Sequence, residues 1–270
     1  MSSIGGSFTS MTSAASYLAV ALAAVMLIAA DPPPLACLGT RAAGAPVVIL
    51  EAGAGNGVET WSKVRPAIAE FARVCAYDRP GLRRHWPSEE APAAPSPDAV
   101  IATLESALTT AGERPPYVLV GHSYGGMIAR LYATRFPDRV AGIVLVDSSH
   151  EDQLRRFGGP PPPVPTPGAV INVPEVFDLA AMIEALDAHR WRADVPLLVL
   201  TRGNPGELNG PMPPTADGLA RYEIWLELQR ELATRSPRGE QIIAKRSGHY
   251  IQNDEPQLVI DGVRRMITHR

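Results

Sequence analysis

The segment whose residue types and spacing best suit covalent chemistry runs from Gly121 to Gly126 and reads GHSYGG. An apolar run over residues 117–120 precedes it, and a helical pattern follows it. A serine at such a strand-to-helix corner is held in a strained backbone conformation with its hydroxyl exposed, and the flanking glycines let neighbouring chain approach closely. The first amides of the helix favour negative charge on a bound carbonyl oxygen. We therefore predict that Ser123 is a nucleophile; the alternative is a glycine-rich turn that happens to contain a serine.

A nucleophilic serine needs a general base, and the base needs a carboxylate that orients it. Of the six histidines, His249 is the best candidate because it follows the last strand-like run, and open parallel sheets place their sites at such strand ends. Two residues compete as the acid: Asp147 ends the strand after the nucleophile's helix, and Glu207 lies in the loop after the next strand. Both keep the order serine, acid, histidine. Asp147 is favoured, because a strand end fixes a side chain more firmly than a loop rich in glycine and proline.

These residues need a framework, and the sequence predicts one in which strand-like runs alternate with helical patterns. Short, nearly continuous apolar runs are typical of parallel strands that are covered on both faces, and the alternation indicates βαβ units. The predicted strands cover residues 46–50, 73–77, 117–120, 140–146, 196–200 and 241–245. The predicted helices cover residues 58–71, 97–111, 126–136, 176–189, 215–234 and 256–267. Two proline-rich stretches, 87–97 and 158–167, are interpreted as extended surface loops.

Length and composition limit the classes of function. With 270 residues, of which 46% are hydrophobic, the chain can bury the core of one domain. The net charge of −3 and the lack of a basic cluster argue against a nucleic-acid partner. No His-x-x-x-His or Cys-x-x-Cys spacing is present, so we predict neither a metal nor an organic cofactor. Nothing in the sequence predicts the oligomeric state.

The N-terminus has a different composition from the rest of the chain. Residues 14–30 carry no charge and are almost entirely apolar, and a Pro-rich linker follows them. We interpret residues 1–34 as a signal peptide or membrane anchor plus linker, which predicts an exported (periplasmic or secreted) or membrane-anchored protein. The alternative is a mis-assigned start codon and a cytoplasmic protein.

Three segments together make the chain similar to the α/β-hydrolase superfamily, in its serine-hydrolase, esterase-like branch, from about Leu35 to Arg270. The run LEAGAG from Leu50 to Gly55 stands where many members carry His-Gly-x-x-Gly. The run DRPG from Asp78 to Gly81 matches the turn after the family's fourth strand, and the predicted nucleophile, acid and base fall in family order. Most relatives continue that turn with Gly-x-Ser, which this chain lacks.

The resemblance implies an α/β fold with a mostly parallel central sheet and helices on both faces. It also implies a short cap over residues 148–195, inserted between strands 6 and 7 of the family's numbering, and an oxyanion hole formed by the backbone N–H groups of Ala54 and Tyr124. The strands that carry Cys37 and Cys75 would then lie side by side. In an exported protein these cysteines could form a disulfide; two small buried thiols are the alternative.

The function that uses all three segments is a serine hydrolase, carboxylesterase-like, that cleaves an ester of a small-molecule acyl substrate through an acyl-enzyme intermediate. A competing interpretation comes from Glu51-x-Gly-x-Gly-x-Gly, which resembles the cofactor loop of S-adenosylmethionine-dependent methyltransferases. It leaves the segments around Ser123 and His249 without a role. A second alternative is a ligand-binding protein on the hydrolase scaffold that lacks turnover.

Overall fold

The computed structural model describes residue 1 and residues 32–86, 88–189, 194–205 and 216–268. The apolar segment 14–30, predicted as a signal or anchor, lies outside the described residues, as does Glu207. Within the described ranges, no helix is both long enough and apolar enough to span a bilayer.

A seven-stranded sheet organises the chain from Pro32 onwards, with strand order β1-β3-β2-β4-β5-β6-β7. Strand β1 pairs antiparallel with β3, and every other pairing is parallel. The strands are β1 Ala36–Leu38, β2 Val47–Glu51, β3 Val74–Ala76, β4 Tyr117–His122, β5 Val140–Val146, β6 Leu197–Arg202 and β7 Gly239–Ala244. All six strands predicted from apolar runs are present, and β1 is the strand that the resemblance implied around Cys37. Its bounds were not predicted, because three partly exposed residues at a sheet edge carry no hydrophobic period.

Helices cover both faces of the sheet, as predicted, which explains why β2, β3, β4 and β6 are buried along their whole length. One core joins the sheet to α2, α3 and α5, and the other joins it to α1 and α8. The helices are α1 Arg65–Ala69, α2 Pro97–Thr110, α3 Tyr124–Arg135, α4 Gln153–Phe157, α5 Leu179–Asp187, α6 Ala216–Ala233, α7 Ile251–Asp254 and α8 Pro256–Thr268. The predicted helix 58–71 is instead a short 3₁₀ turn, Val58–Trp61, followed by α1.

The predicted cap lies between β5 and β6, the strands that correspond to the family's sixth and seventh, and carries α4 and α5. Helix α5 begins at Leu179, three residues after the start of the predicted helix 176–189, and Asp178 is its N-cap. Asp178 Oδ1 accepts a hydrogen bond from Ala181 N at 2.9 Å. The apolar residues Met182 and Leu186 of α5 are buried in the core beside α3. The helix therefore packs on the body of the protein.

The segment 168–176 of the cap pairs with the loop after β3 at two isolated bridges, Leu82 with Glu175 and Glu90 with Val170. Arg83 N donates to Pro174 O at 2.8 Å and Val176 N donates to Gly81 O at 2.9 Å. Further along, Ala91 N donates to Ala169 O at 2.8 Å. The cap is thus tied by backbone hydrogen bonds to the loop that follows β3.

The two cysteines form a disulfide, Cys37–Cys75, across the directly opposed positions of β1 and β3. Of the two alternatives that the sequence left open, the structure has the bonded pair. The bond joins the antiparallel edge strand to the parallel part of the sheet.

Candidate active site

Ser123 lies at the corner between β4 and α3, with φ 52° and ψ −120°, a left-handed conformation that a non-glycine residue adopts only when its surroundings enforce it. The corner is tight: a Cβ on Gly121 would lie 2.5 Å from Gly125 O, and a Cβ on Gly125 would lie 2.1 Å from Glu51 O. Only glycine fits at positions 121 and 125, which explains why the GHSYGG pattern has glycine there. The Ser123 side chain does not cap α3.

Asp147 and His249 are brought together by the ends of β5 and β7. His249 Nδ1 lies 2.7 Å from Asp147 Oδ2, although 102 residues separate them. Asp147 itself has φ 42°, and its N–H donates to Leu200 O of the neighbouring strand at 2.7 Å. The acid favoured from the sequence therefore contacts the predicted base.

The Asp147 carboxylate is fully buried and accepts hydrogen bonds from three further donors. Oδ1 accepts from Arg202 N at 3.1 Å and from Trp225 Nε1 at 2.8 Å, and Oδ2 accepts from Arg202 Nη1 at 2.9 Å. Burial alone would raise the pKa of Asp147, but the hydrogen bond from His249 and the charge of Arg202 outweigh it and hold the pKa below its usual value. Asp147 is therefore ionised when it faces the imidazole.

His122, next to the predicted nucleophile, contacts the predicted base rather than Ser123. Its Nε2 lies 3.0 Å from His249 O, and because a carbonyl only accepts, Nε2 carries the hydrogen. Burial and, secondly, the nearby His249 lower the pKa of His122 to about 3. His122 is thus a neutral group that packs its ring against His249 and Tyr250, with centroids 4.5 and 5.0 Å apart.

His122 connects Ser123 and His249: it directly precedes Ser123 in the chain, and its ring packs against the ring of His249. A Cβ on Gly53 would lie 2.8 Å from His122 Nδ1 and 3.2 Å from Ser123 Cβ, so the loop after β2 also reaches this point. Among the described residues, no hydrogen bond joins Ser123 to His249. Bonds between nucleophile and base are often long in free enzymes and shorten when substrate binds.

The predicted oxyanion donors belong to two elements that meet at Ser123. Tyr124 is the first residue of α3, so its N–H has no acceptor within the helix. Ala54 lies in the loop after β2, where Asn56 N donates to Gly53 O at 3.1 Å and Asn56 Nδ2 donates to Ala54 O at 2.9 Å. The neighbouring polar groups of this loop are bound within the protein.

A buried ionic cluster, which the sequence did not predict, lies beneath that loop. Arg79 and Glu175 form an ion pair with 2.6 Å between Nε and Oε1, and Arg79 Nη1 lies 3.6 Å from Glu51 Oε2. Burial raises the pKa of Glu51 to about 7, even though Arg79 and Tyr77 act to lower it. Glu51, the acid of the methyltransferase-like pattern, therefore faces Arg79 inside the protein.

The loop after Asp147 is held by a second buried cluster. Arg130 of α3 donates to Glu151 Oε2 at 2.6 Å and to Ser149 O at 2.8 Å, and Arg235 lies 2.7 Å from Glu151 Oε1. Ser149 N in turn donates to Ser123 O at 3.0 Å. The nucleophile corner and the acid-bearing loop are therefore joined directly.

A small apolar cavity of about 60 Å³ lies beside the nucleophile corner. Tyr124, Val100 of α2 and Phe177 of the cap line it, and the Phe177 ring packs on Tyr124 with centroids 4.6 Å apart. The cap thus contributes a wall to this cavity.

Comparison with known proteins agrees with the fold. The family model described as alpha/beta hydrolase fold matches residues 45–262. The uncharacterised protein YqjL of Bacillus subtilis strain 168 is 28% identical over 215 residues, which are 78% of this chain and 79% of that protein.

Solved structures of low identity show the same fold. An esterase from Thermogutta terrifontis superposes with a TM-score of 0.60 at 19% identity, covering 87% of this chain and 93% of the esterase. A probable hydrolytic enzyme from Pseudomonas aeruginosa PAO1 superposes with a TM-score of 0.63 at 19% identity, covering 87% and 89%. Since the family model spans most of the sequence and the sheet has the family's architecture, the chain belongs to the α/β-hydrolase fold family.

Proposed function

We propose that this protein is a serine hydrolase that cleaves a carboxylic ester, or a related small acyl substrate, through an acyl-enzyme intermediate. The observation that carries the proposal is the 2.7 Å contact between His249 Nδ1 and Asp147 Oδ2, formed beside a serine that is held at φ 52° on a strand-to-helix corner. Nucleophile, base and orienting acid are the three groups that acyl transfer requires.

The contact with Asp147 decides which nitrogen of His249 acts as the base. Nδ1 donates its hydrogen to the carboxylate, so Nε2 presents its lone pair to the Ser123 hydroxyl. As Ser123 Oγ attacks the carbonyl carbon, Nε2 takes the hydroxyl proton, and the N–H groups of Ala54 and Tyr124 bind the oxygen that becomes negative. Collapse of this intermediate breaks the ester bond, and the leaving alkoxide takes the proton from Nε2.

Water then repeats the sequence on the acyl-enzyme. His249 Nε2 removes a proton from water as the water oxygen attacks the acyl carbon, and it returns that proton to Ser123 Oγ when the carboxylic acid leaves. Asp147 remains ionised throughout, because its pKa is held down by the hydrogen bond from His249 and by Arg202. Every step uses side chains and backbone groups of this chain.

The small cavity lined by Tyr124, the residue after Ser123, supports a small acyl group. A space of about 60 Å³ is small, since pockets for drug-sized ligands typically measure about 300–1,000 Å³. Its walls are mostly apolar side chains, which suit an alkyl chain better than a charged one.

We also propose that the protein is exported or membrane-anchored. The uncharged apolar segment 14–30 supports this location, and so does the disulfide between Cys37 and Cys75, a bond that persists in oxidising compartments.

The direct test of the proposed function is Ser123→Ala. We expect the variant to lose hydrolysis of p-nitrophenyl acetate and butyrate while its melting temperature changes little, because the Ser123 side chain does not cap α3 and the backbone conformation is set by the glycines around it. Ser106→Ala is the matched control, since Ser106 is exposed on α2, away from the corner. Hydrolysis that survives in Ser123→Ala would remove the mechanism.

Labelling separates an enzyme from a binding protein on the same scaffold. A fluorophosphonate should form one covalent adduct on the folded wild type, at Ser123, and none on Ser123→Ala. A folded wild type that forms no adduct would favour the ligand-binding alternative.

A further inference from the structure

Glu175 is a cap residue whose side chain reaches under the loop that carries Ala54. Its carboxylate is only 2% exposed, and the residues on either side of it, Pro174 and Val176, are the ones that pair with the loop after β3. A charged side chain in a proline-rich surface segment is usually solvated. Because the Glu175 side chain is buried, the cap places a carboxyl group inside the protein.

The carboxylate of Glu175 has three partners, and all of them lie outside the cap. Oε1 accepts from Arg79 Nε at 2.6 Å and Oε2 accepts from Arg79 Nη2 at 2.8 Å, a two-point ion pair. Oε2 also accepts from Gly55 N at 2.7 Å. Glu175 therefore binds both the arginine of the DRPG turn and the residue after Ala54.

Arg79 in turn binds the two residues that precede Ala54. Its Nη1 donates to Ala52 O at 2.7 Å and its Nη2 donates to Gly53 O at 2.7 Å. The C=O of Gly53 and the N–H of Ala54 belong to one planar trans peptide unit, in which they point in opposite directions. By holding the Gly53 oxygen, Arg79 fixes the direction of the Ala54 N–H.

Charge balance makes Glu175 the group that keeps Arg79 in place. A buried guanidinium without a partner is strongly unfavourable, and the other nearby carboxyl, Glu51, lies at 3.6 Å and has its pKa raised to about 7 by burial. Glu175, which lies 2.6 Å from Arg79, is therefore the nearer of the two carboxyl groups and the main partner of the guanidinium.

We propose that Glu175 is a positioning residue for the oxyanion hole: through Arg79 and the Gly55 N–H it orients the Ala54 N–H, so that the hole is complete only while the cap segment 174–176 is docked. This inference rests on the proposed function, because it assigns a role in stabilising the oxyanion. It makes the cap part of the catalytic geometry as well as a wall of the substrate space.

The test compares Glu175→Ala and Glu175→Gln with Glu184→Gln, a matched carboxyl-to-amide change on the exposed face of α5 in the same cap. For p-nitrophenyl butyrate we expect kcat of Glu175→Ala to fall about 10- to 100-fold, somewhat less than the loss of a whole oxyanion donor, with KM changed by less than about threefold. Glu175→Gln keeps one acceptor oxygen and the side-chain volume, so we expect an intermediate loss. Glu184→Gln should match the wild type.

All rates are first divided by the active fraction, which is titrated with a fluorophosphonate. Two further measurements then separate positioning from simple destabilisation. Inhibition by a trifluoromethyl ketone, whose serine adduct places an oxyanion in the hole, should weaken in parallel with kcat/KM. Hydrogen–deuterium exchange over residues 51–57 should be faster in Glu175→Ala than in Glu184→Gln, because the Gly55 N–H has lost its acceptor.

The outcomes distinguish this inference from the proposed function. If the wild type hydrolyses esters through Ser123 but Glu175→Ala keeps the kcat and ketone affinity of Glu184→Gln, the positioning role is wrong and the hydrolase remains. A loss confined to KM or to the active fraction also overturns the role. If the wild type shows no hydrolysis that depends on Ser123, both proposals fall.

Discussion

Asp147 shows how a single buried carboxylate can be held by several donors and still face the imidazole. Four hydrogen bonds reach it, and one of them comes from His249. The position of Asp147 at the end of β5 was predictable from the sequence, because a strand end fixes a side chain. Its partners Arg202 and Trp225 were not predictable: Trp225 projects from α6, and which side chain of a helix meets a given strand depends on packing that sequence spacing does not specify.

The first prediction at the level of residues tests the identity of the acid. Asp147→Asn should reduce kcat by several orders of magnitude, because the amide no longer stabilises the imidazolium and favours the wrong tautomer of His249. Esterase kinetics on p-nitrophenyl butyrate measure the effect, with Glu207→Gln as the comparison. Should the large loss occur in Glu207→Gln instead, the assignment of Asp147 is wrong.

Arg202 adds a positive charge 2.9 Å from the carboxylate that faces the imidazole. Without that positive charge, as in Arg202→Gln, the negative charge of Asp147 stabilises the imidazolium of His249 more strongly. We therefore expect the acid limb of the profile of kcat/KM against pH to move to higher pH. Arg155→Gln, which breaks an exposed surface pair with Asp152, is the control, and identical profiles for the two variants would contradict the prediction.

Glu51 makes folding stability depend on pH. Because burial raises its pKa from 4.5 to about 7, the folded protein between these pH values keeps a proton that the unfolded chain has released. Its contribution therefore lowers the free energy of unfolding as pH rises through this window, by at most about 1.4 kcal/mol per pH unit, and is constant above it.

Glu51→Gln removes this contribution, since an amide does not titrate. We expect the difference in the free energy of unfolding between Glu51→Gln and wild type to move in favour of the variant from pH 4.5 to pH 7. Urea denaturation at several pH values measures it. A difference that is the same at every pH would show that the group is ionised in the folded state throughout.

At the level of elements, the strands that carry the site were the most predictable part of the molecule. Strands β2, β4, β5 and β6 are fully or almost fully buried apolar runs, and such runs stand out in a sequence. Strand β1 is too short and too exposed to give a pattern. The hydrogen bonds between residues 168–176 and 81–91 could not be predicted either, because a proline-rich segment shows where chain is extended but not what it pairs with.

The pairing of β1 with β3 is secured by the disulfide, which closes a loop over a sequence separation of 38. A crosslink over a loop of this length restricts the unfolded chain and typically contributes about 2–4 kcal/mol. We predict that dithiothreitol lowers the free energy of unfolding of the wild type by an amount in this range. The double variant Cys37→Ser/Cys75→Ser should start at the lower value and be insensitive to dithiothreitol; equal stability of oxidised and reduced wild type would refute the prediction.

For the whole molecule, the fold was predictable from the sequence, but the buried ion pairs were not. The order of Ser123, Asp147 and His249 along alternating strands and helices is enough to place three strand ends at one edge of a sheet. The ion pair of Arg79 with Glu175 joins residues 96 positions apart, and neither residue has a local pattern that marks it as buried. Charged residues in turns and loops are expected in water, so sequence reasoning assigns such pairs to the surface.

The hydrogen-bonded contact between residues 168–176 of the cap and the loop after β3, which we call the seam, limits how the cap could be exchanged. The limit applies to exchange in the laboratory and to replacement during the divergence of relatives. The exposed proline run from Pro160 to Pro163 has no role in that seam, so inserts of foreign sequence there should leave the rest of the protein intact. A chimaera whose junction falls beyond Gly168 would cut through the seam and lose the buried Glu175. Grafting a new lid onto this scaffold therefore calls for junctions within residues 158–167, with the stretch that follows inherited unchanged.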